Sequence, residues 1–121
     1  MYTYNAKLIE VTDGDTIKAV IDLGFNTLTN RTIRFYGIDA YESRTKDMEE
    51  KVKGLAAKER VKELLNSVDG EFILKSEGLD KYGRSLGIII INPKEGELNI
   101  NQTLLNEGHA IEYFGGTRWK N

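Results

Sequence analysis

Residues 10–16 read EVTDGDT. Two aspartates flank a glycine between segments that alternate apolar and polar side chains as strands do. Asp and Gly are poor strand residues, so the stretch interrupts sheet. Asp-Gly is a strong hairpin signal, because glycine accepts the positive φ that primed turns need. Read as a tight turn, the stretch joins a first strand directly to a second. That reading decides the fold. A split ferredoxin-like sandwich, the second choice, requires a helix after its first strand, and the Asp13-Gly14 turn leaves no room for one. The other reading, a ligand site, needs further acid brought in from elsewhere in the chain.

Outward from the turn, residues 4–11 and 16–23 predict two strands. Gly24 to Asn26 supplies the next turn, and residues 27–38 a third strand, with Gly37 a bulge or a point of close approach. Residues 71–77 and 86–91 predict a fourth and a fifth. One long helix separates the third strand from the fourth: Gly54, Ala57, Val61, Leu64, Leu65 and Val68 share a face at 3.6-residue spacing. Gly54 on that face predicts close packing against the sheet, while the opposite, charged face is solvated. A short second helix follows Asn99, which with Gln102 resembles a capping box, and Gly108 stops it. Five strands with a helix between the third and fourth predict an α+β fold, a five-stranded OB-type Greek-key β-barrel. Residues 1–121 read as one such domain, with a flexible tail from about residue 115.

Composition narrows the chemistry. Zero cysteines remove disulfides and thiolate chemistry, and a single histidine, His109, removes paired-histidine mechanisms. A general base is therefore expected to be a carboxylate. The net charge of −2 rules out coating nucleic acid by bulk charge, so phosphate binding must rest on a few placed basic residues. No apolar run approaches the roughly 20 residues of a membrane helix. The N-terminal MYTYNAKLIEV lacks a basic segment followed by an apolar one, which predicts a cytoplasmic protein, although a mature secreted form is compatible with the same sequence.

The third strand ends in IRFYGIDAYES. Asp39 at a strand end, Glu42 just beyond it and Asp15 at the start of the neighbouring strand can converge on one small volume, unless Asp39 and Glu42 are ordinary loop acids. Converging carboxylates repel, and a hard divalent cation relieves that repulsion. Arg34 lies within a strand between Ile33 and Phe35, where an arginine usually has a specific partner. In DKYGRSLG, residues 80–87, Lys81, Tyr82 and Arg84 bracket the turn glycine Gly83. Two arginines facing a carboxylate cluster form a site for a phosphodiester, because the guanidinium fork binds phosphate oxygens in two places.

The three blocks VTDGDTI, IRFYGIDAYE and DKYGRSLG, followed by NQTLLNEGHA, resemble the staphylococcal nuclease (thermonuclease) family in order and spacing, over residues 5 to about 114. The resemblance implies an OB barrel with packed helices that hydrolyses DNA and RNA, classically with Ca²⁺; Mg²⁺ and Mn²⁺ remain open. It implies that Asp15, Asp39 and the Ala40 carbonyl ligate the metal and that Glu42 activates or orients the attacking water. Arg34 and Arg84 fall on the phosphate-binding arginines. Lys81 and Tyr82 fall on contacts to the nucleotide's terminal phosphate, and Asp13 on a structural acid that shapes the turn. The site tyrosine is Tyr113, or is displaced by Phe114. The implied products carry 3′-phosphate ends, from single-stranded or locally melted substrate, and a monomer is expected.

The departures are specific. Where the family often has Thr-Pro, this chain has Ala40-Tyr41, which removes a restraint on the loop carrying Glu42 and offers Tyr41 as a ring to stack on a base. The usual C-terminal helix is absent or reduced to GGTRWKN. The pI of about 5.5 predicts weak nonspecific DNA affinity. The rival readings are a non-catalytic OB module binding single strands through aromatics, and a protein-interaction domain on a degenerate nuclease fold. Neither needs three carboxylates beside two arginines.

Overall fold

The structure is a computed structural model, and it describes residues 2–114. Eight strands and two helices follow in the order β1 (Tyr2–Asp13), β2 (Thr16–Asp22), β3 (Leu28–Phe35), β4 (Ile38–Ala40), α1 (Met48–Asn66), β5 (Glu71–Leu79), β6 (Ser85–Ile91), β7 (Leu98–Asn99), α2 (Ile100–Asn106) and β8 (Ala110–Glu112). Antiparallel pairing runs β3-β2-β1-β5-β6, and a parallel pairing of β3 with β6 closes these five strands into a barrel. The OB-type α+β fold expected from the turn is therefore the fold observed. β1 pairs β5 through residues 2–7 and β2 through residues 5–13. It passes between partners with a register shift between Leu8 and Glu10, the local bend that closure requires.

Alternate, inward-facing residues of β2, β3, β5 and β6 fill the barrel, among them Ile17, Ile33, Phe35, Leu74 and Ile89, all essentially without exposure. Helix α1 covers one end with Ala57, Val61 and Leu65, also fully buried. The helix starts because Asp47, in extended conformation, accepts from the Glu49 and Glu50 amides, and two glutamates occupy its first turn. In α2, Asn99 accepts from the Gln102 amide, but the Gln102 side chain turns to Asn106, so the capping box is half made. Gly108 follows the C-cap with φ +79°, and the amides of Gly108 and His109 return to Leu105 and Leu104.

Four expectations need correction. The third strand does not run to residue 38. It ends at Phe35, because Gly37 takes φ +82° and turns the chain into β4, which pairs with β8. Val68 lies beyond the end of α1. Asp15 does not open β2 but sits in the turn before Thr16. Gly14 does not adopt a positive φ: a Cβ there would stand 2.6 Å from the Ala57 Cβ and 3.1 Å from the Ala40 Cβ. Glycine is needed at that turn for contact with the helix, not for handedness. The tail from residue 115 and the question of a C-terminal helix lie outside the described residues. Among those that are described, no helix is long and apolar enough to cross a membrane.

Candidate active site

The site forms where the β1–β2 turn, the end of β3, β4 and the segment after it meet. Asp15 is the anchor. It is buried at 8% exposure, and its Oδ1 accepts from the Thr16 hydroxyl at 2.9 Å. Its Oδ2 accepts from the Ala40 amide at 2.9 Å and lies 3.2 Å from Arg34 Nη1. The Asp15 carbonyl accepts from the Phe35 amide. One turn residue thus fixes both β3 and β4. Arg34 donates from Nη1 to the Ile38 carbonyl at 3.0 Å and places Nη2 3.5 Å from Asp39 Oδ1. Two carboxylates converge on one guanidinium whose side chain is only 13% exposed. Charges this far from water persist because they are mutually paired.

Glu42 is exposed and lines the same cleft, of about 410 Å³, as Asp15, Asp39, Arg34 and Arg84. Its backbone is held from three sides. The Glu42 amide reaches Glu50 Oε2 at 3.3 Å. The neighbouring Ser43 hydroxyl donates a short hydrogen bond to Asp13. Helix α1 presents Gly54, where a Cβ would lie 2.2 Å from the Glu42 carbonyl oxygen and 2.5 Å from the Ser43 amide nitrogen. The expectation that Gly54 packs against the sheet is corrected: it packs against the loop that carries Glu42. Asp13 bears on the same loop, since it also pairs with Arg44 at 3.7 Å. These contacts restrain a segment that has no proline.

Arg84 comes from the β5–β6 hairpin. Asp80 organises it. Its Oδ1 accepts from the amides of Tyr82 and Arg84, both at 2.9 Å, and its Oδ2 from Arg84 Nε at 2.6 Å. Gly83, with φ +80°, closes the turn by donating to the Asp80 carbonyl. Burial pushes the Asp80 carboxyl up, but the hydrogen bonds from Arg84 and Tyr82 outweigh it and hold the group below its ordinary value. The sequence reading missed Asp80. The signal was present, since Asp followed three residues later by Gly is the signature of a type I turn.

Lys81, Tyr82 and Tyr113 line a second lobe of about 280 Å³, which shares Arg34 and Arg84 with the first. The Tyr113 ring centre is 6.0 Å from the Arg34 guanidinium. Phe114 instead meets Tyr36 edge-on at 5.8 Å and covers Gly37. Of the two aromatics, Tyr113 is the one beside Arg34. A larger cleft, about 890 Å³ and lined by Leu8, Leu28 and Phe72 among others, contains none of the candidate residues.

Asp15 and Asp39 offer carboxylate oxygens, the ligand type that a hard divalent cation takes, with Arg34 already paired to one oxygen of each. Among the described residues, no group of three or more His, Cys, Asp or Glu side chains is close enough to hold a metal alone. A cation fits here only with backbone, water or substrate oxygens completing its shell.

A small barrel closed by β3 and β6, with paired acids and two arginines in one cleft, is an OB-type fold. The model of the staphylococcal nuclease homologue family matches residues 32–120. The chain belongs to that family. It is 35% identical over 112 residues to Endonuclease YncB of Bacillus subtilis, covering 86% of this chain and 48% of the relative. It is 34% identical over 112 residues to the SPbeta prophage-derived endonuclease YokF of the same organism, covering 86% of this chain and 34% of that one. Uncharacterized protein MJ1439 of Methanocaldococcus jannaschii is 31% identical over 134 aligned positions, 97% of this chain and 63% of that protein. The chain therefore spans less than two thirds of the length of each of these relatives.

Proposed function

We propose that the chain is a metal-dependent nuclease that hydrolyses phosphodiester bonds of DNA, RNA or both. One observation carries the reading: Asp15 and Asp39 converge on Arg34 in the cleft that also holds Glu42 and Arg84. A pure binding surface gains nothing from carboxylates, which repel phosphate. Membership of the family and the endonuclease names of two relatives support the same reading.

In this mechanism Arg34 and Arg84 bind the phosphate oxygens and stabilise the charge that builds there. Glu42, on the water-facing side of the cleft, orients the attacking water and accepts its proton, a contribution of about 10²–10⁴-fold in comparable systems. Asp15, Asp39 and the Ala40 carbonyl would hold the cation, with Ca²⁺ as first choice and Mg²⁺ or Mn²⁺ as alternatives. When bound, it supplies charge neutralisation and Lewis acidity. Lys81, Tyr82 and Tyr113 receive the neighbouring nucleotide. Attack with loss of the 5′ oxygen leaves 3′-phosphate ends.

The deciding experiment is cleavage of single-stranded DNA with added Ca²⁺, Mg²⁺ or Mn²⁺ and with chelator, beside Glu42→Gln. Cleavage that requires metal and fails in the variant is expected. A strand that binds but is not cut with any of the three ions would reduce the chain to a binding module.

A further inference from the structure

The two lobes of the cleft share only Arg34 and Arg84. If a phosphate sits between those arginines, a nucleic-acid strand must leave it in two directions. One direction is furnished by Tyr82, 72% exposed, with Lys81 Nζ 5.3 Å and Arg84 Cζ 5.5 Å from its ring centre. The other lobe repeats the chemistry with different residues. Tyr41 and Arg44 line it, and Lys53 Nζ lies 5.1 Å from the Tyr41 ring centre. The Arg44 side chain is 74% exposed, and its ion pair with Asp13 spans 3.7 Å. Only the Arg44 end of this long pair is exposed, and Asp13 keeps the Ser43 hydroxyl, so Arg44 can turn to a better anion without leaving Asp13 unpartnered.

We propose that the lobe on the Glu42 side is a second nucleotide subsite, in which Arg44 takes a flanking phosphate and Tyr41 stacks with the adjoining base. The proposal rests on the nuclease reading only for the placement of the central phosphate. Stacking tolerates any base, because every base has a π-face, so the subsite adds affinity and length dependence without sequence preference. Lys53 above the Tyr41 ring holds that ring in place and adds positive charge to the rim.

The test uses fluorescein-labelled oligothymidylates of two and six nucleotides, titrated by anisotropy against Glu42→Gln protein with Ca²⁺ at several salt concentrations. The hexamer is expected to bind more tightly than the dimer. Adding Arg44→Ala removes about five- to tenfold of that gain and lowers the slope of log affinity against log salt by about 0.7, the contribution of one phosphate contact on a single strand. Tyr41→Ala loses a comparable factor, and Tyr41→Phe restores it. Lys94→Ala, which removes one charge from the far cleft, leaves gain and slope as they were. An absent length gain, or a gain and slope untouched by Arg44→Ala, overturns the subsite. Wild-type cleavage in that case leaves the nuclease reading standing. Loss of the gain in Arg44→Ala in a protein that never cleaves keeps the subsite and removes the hydrolysis.

Discussion

Gly54 of helix α1 lies directly against the backbone of Glu42, so close that a methyl group there would stand 2.2 Å from the Glu42 carbonyl oxygen. One helical turn away, Ala57 meets the Gly14 turn. The helix thus sets the separation between the turn that carries Asp15 and the loop that carries Glu42.

Gly54→Ala is expected to move the Glu42 loop outward. Overpacking of roughly 1–3 kcal/mol exceeds the up to about 1 kcal/mol that alanine gains in a helix. Activity should fall by about 10²-fold, the scale of a 1 Å misplacement, while affinity for a dinucleotide too short to reach the Tyr41–Arg44 lobe holds. Urea unfolding and kcat/KM, measured side by side, check both halves. An unchanged kcat/KM would show that the contact does not position Glu42.

Asp80→Asn should weaken the hold on Arg84. The Asp80 carboxyl lies below its ordinary value in the folded protein, so its ionised form favours folding. That contribution is complete above the unfolded carboxylate value of about 4 and is lost as pH falls through the lowered folded value. Urea midpoints of wild type and variant should therefore differ at pH 7 and draw together below about pH 4. A constant difference across that range would remove the carboxylate from the acid limb.

Arg84→Ala should cost about 10²–10³-fold in kcat, the scale for losing one donor to developing transition-state charge. Arg84→Lys should recover little, because an ammonium cannot reproduce the fork. Steady-state cleavage of a single-stranded oligonucleotide decides it; full activity in Arg84→Lys would mean that only charge is needed.

Asn101→Ala tests the frame behind the site. The Asn101 side chain is buried, accepts from the Ile89 amide and donates to the Tyr36 and Gly87 carbonyls. Truncation takes this partner from the Ile89 amide and the Tyr36 carbonyl, while the Gly87 carbonyl keeps the Tyr36 amide, at roughly 1–3 kcal/mol for each group that water cannot reach. A loss of about 3 kcal/mol in urea unfolding is expected. A loss below ~0.5 kcal/mol would mean that water replaces the amide in full.

The barrel was legible because its signals are local. Alternation in residues 4–11 and 16–23, the tight turn between them and the 3.6-residue spacing from Gly54 to Leu65 each act within a few residues. The short β4–β8 pair was not legible, since three-residue strands carry too little pattern to stand out. Asp80 was passed over because Asp-x-x-Gly announces only a turn, and the hold on the Arg84 side chain appears only once that turn has formed.

What the sequence by itself determined is the barrel, its two helices and the family, because periodicity, turn chemistry and the three motif blocks are properties of neighbouring residues. It also supplied the residue types of the candidate site. Only the tertiary structure decided which of them meet. Asp15 and Arg34 are far apart in sequence, and their 3.2 Å contact follows from strand register. The glycines changed meaning for the same reason. Gly14 and Gly54 are small because other segments of chain press on them, and that pressure exists only once the barrel has closed.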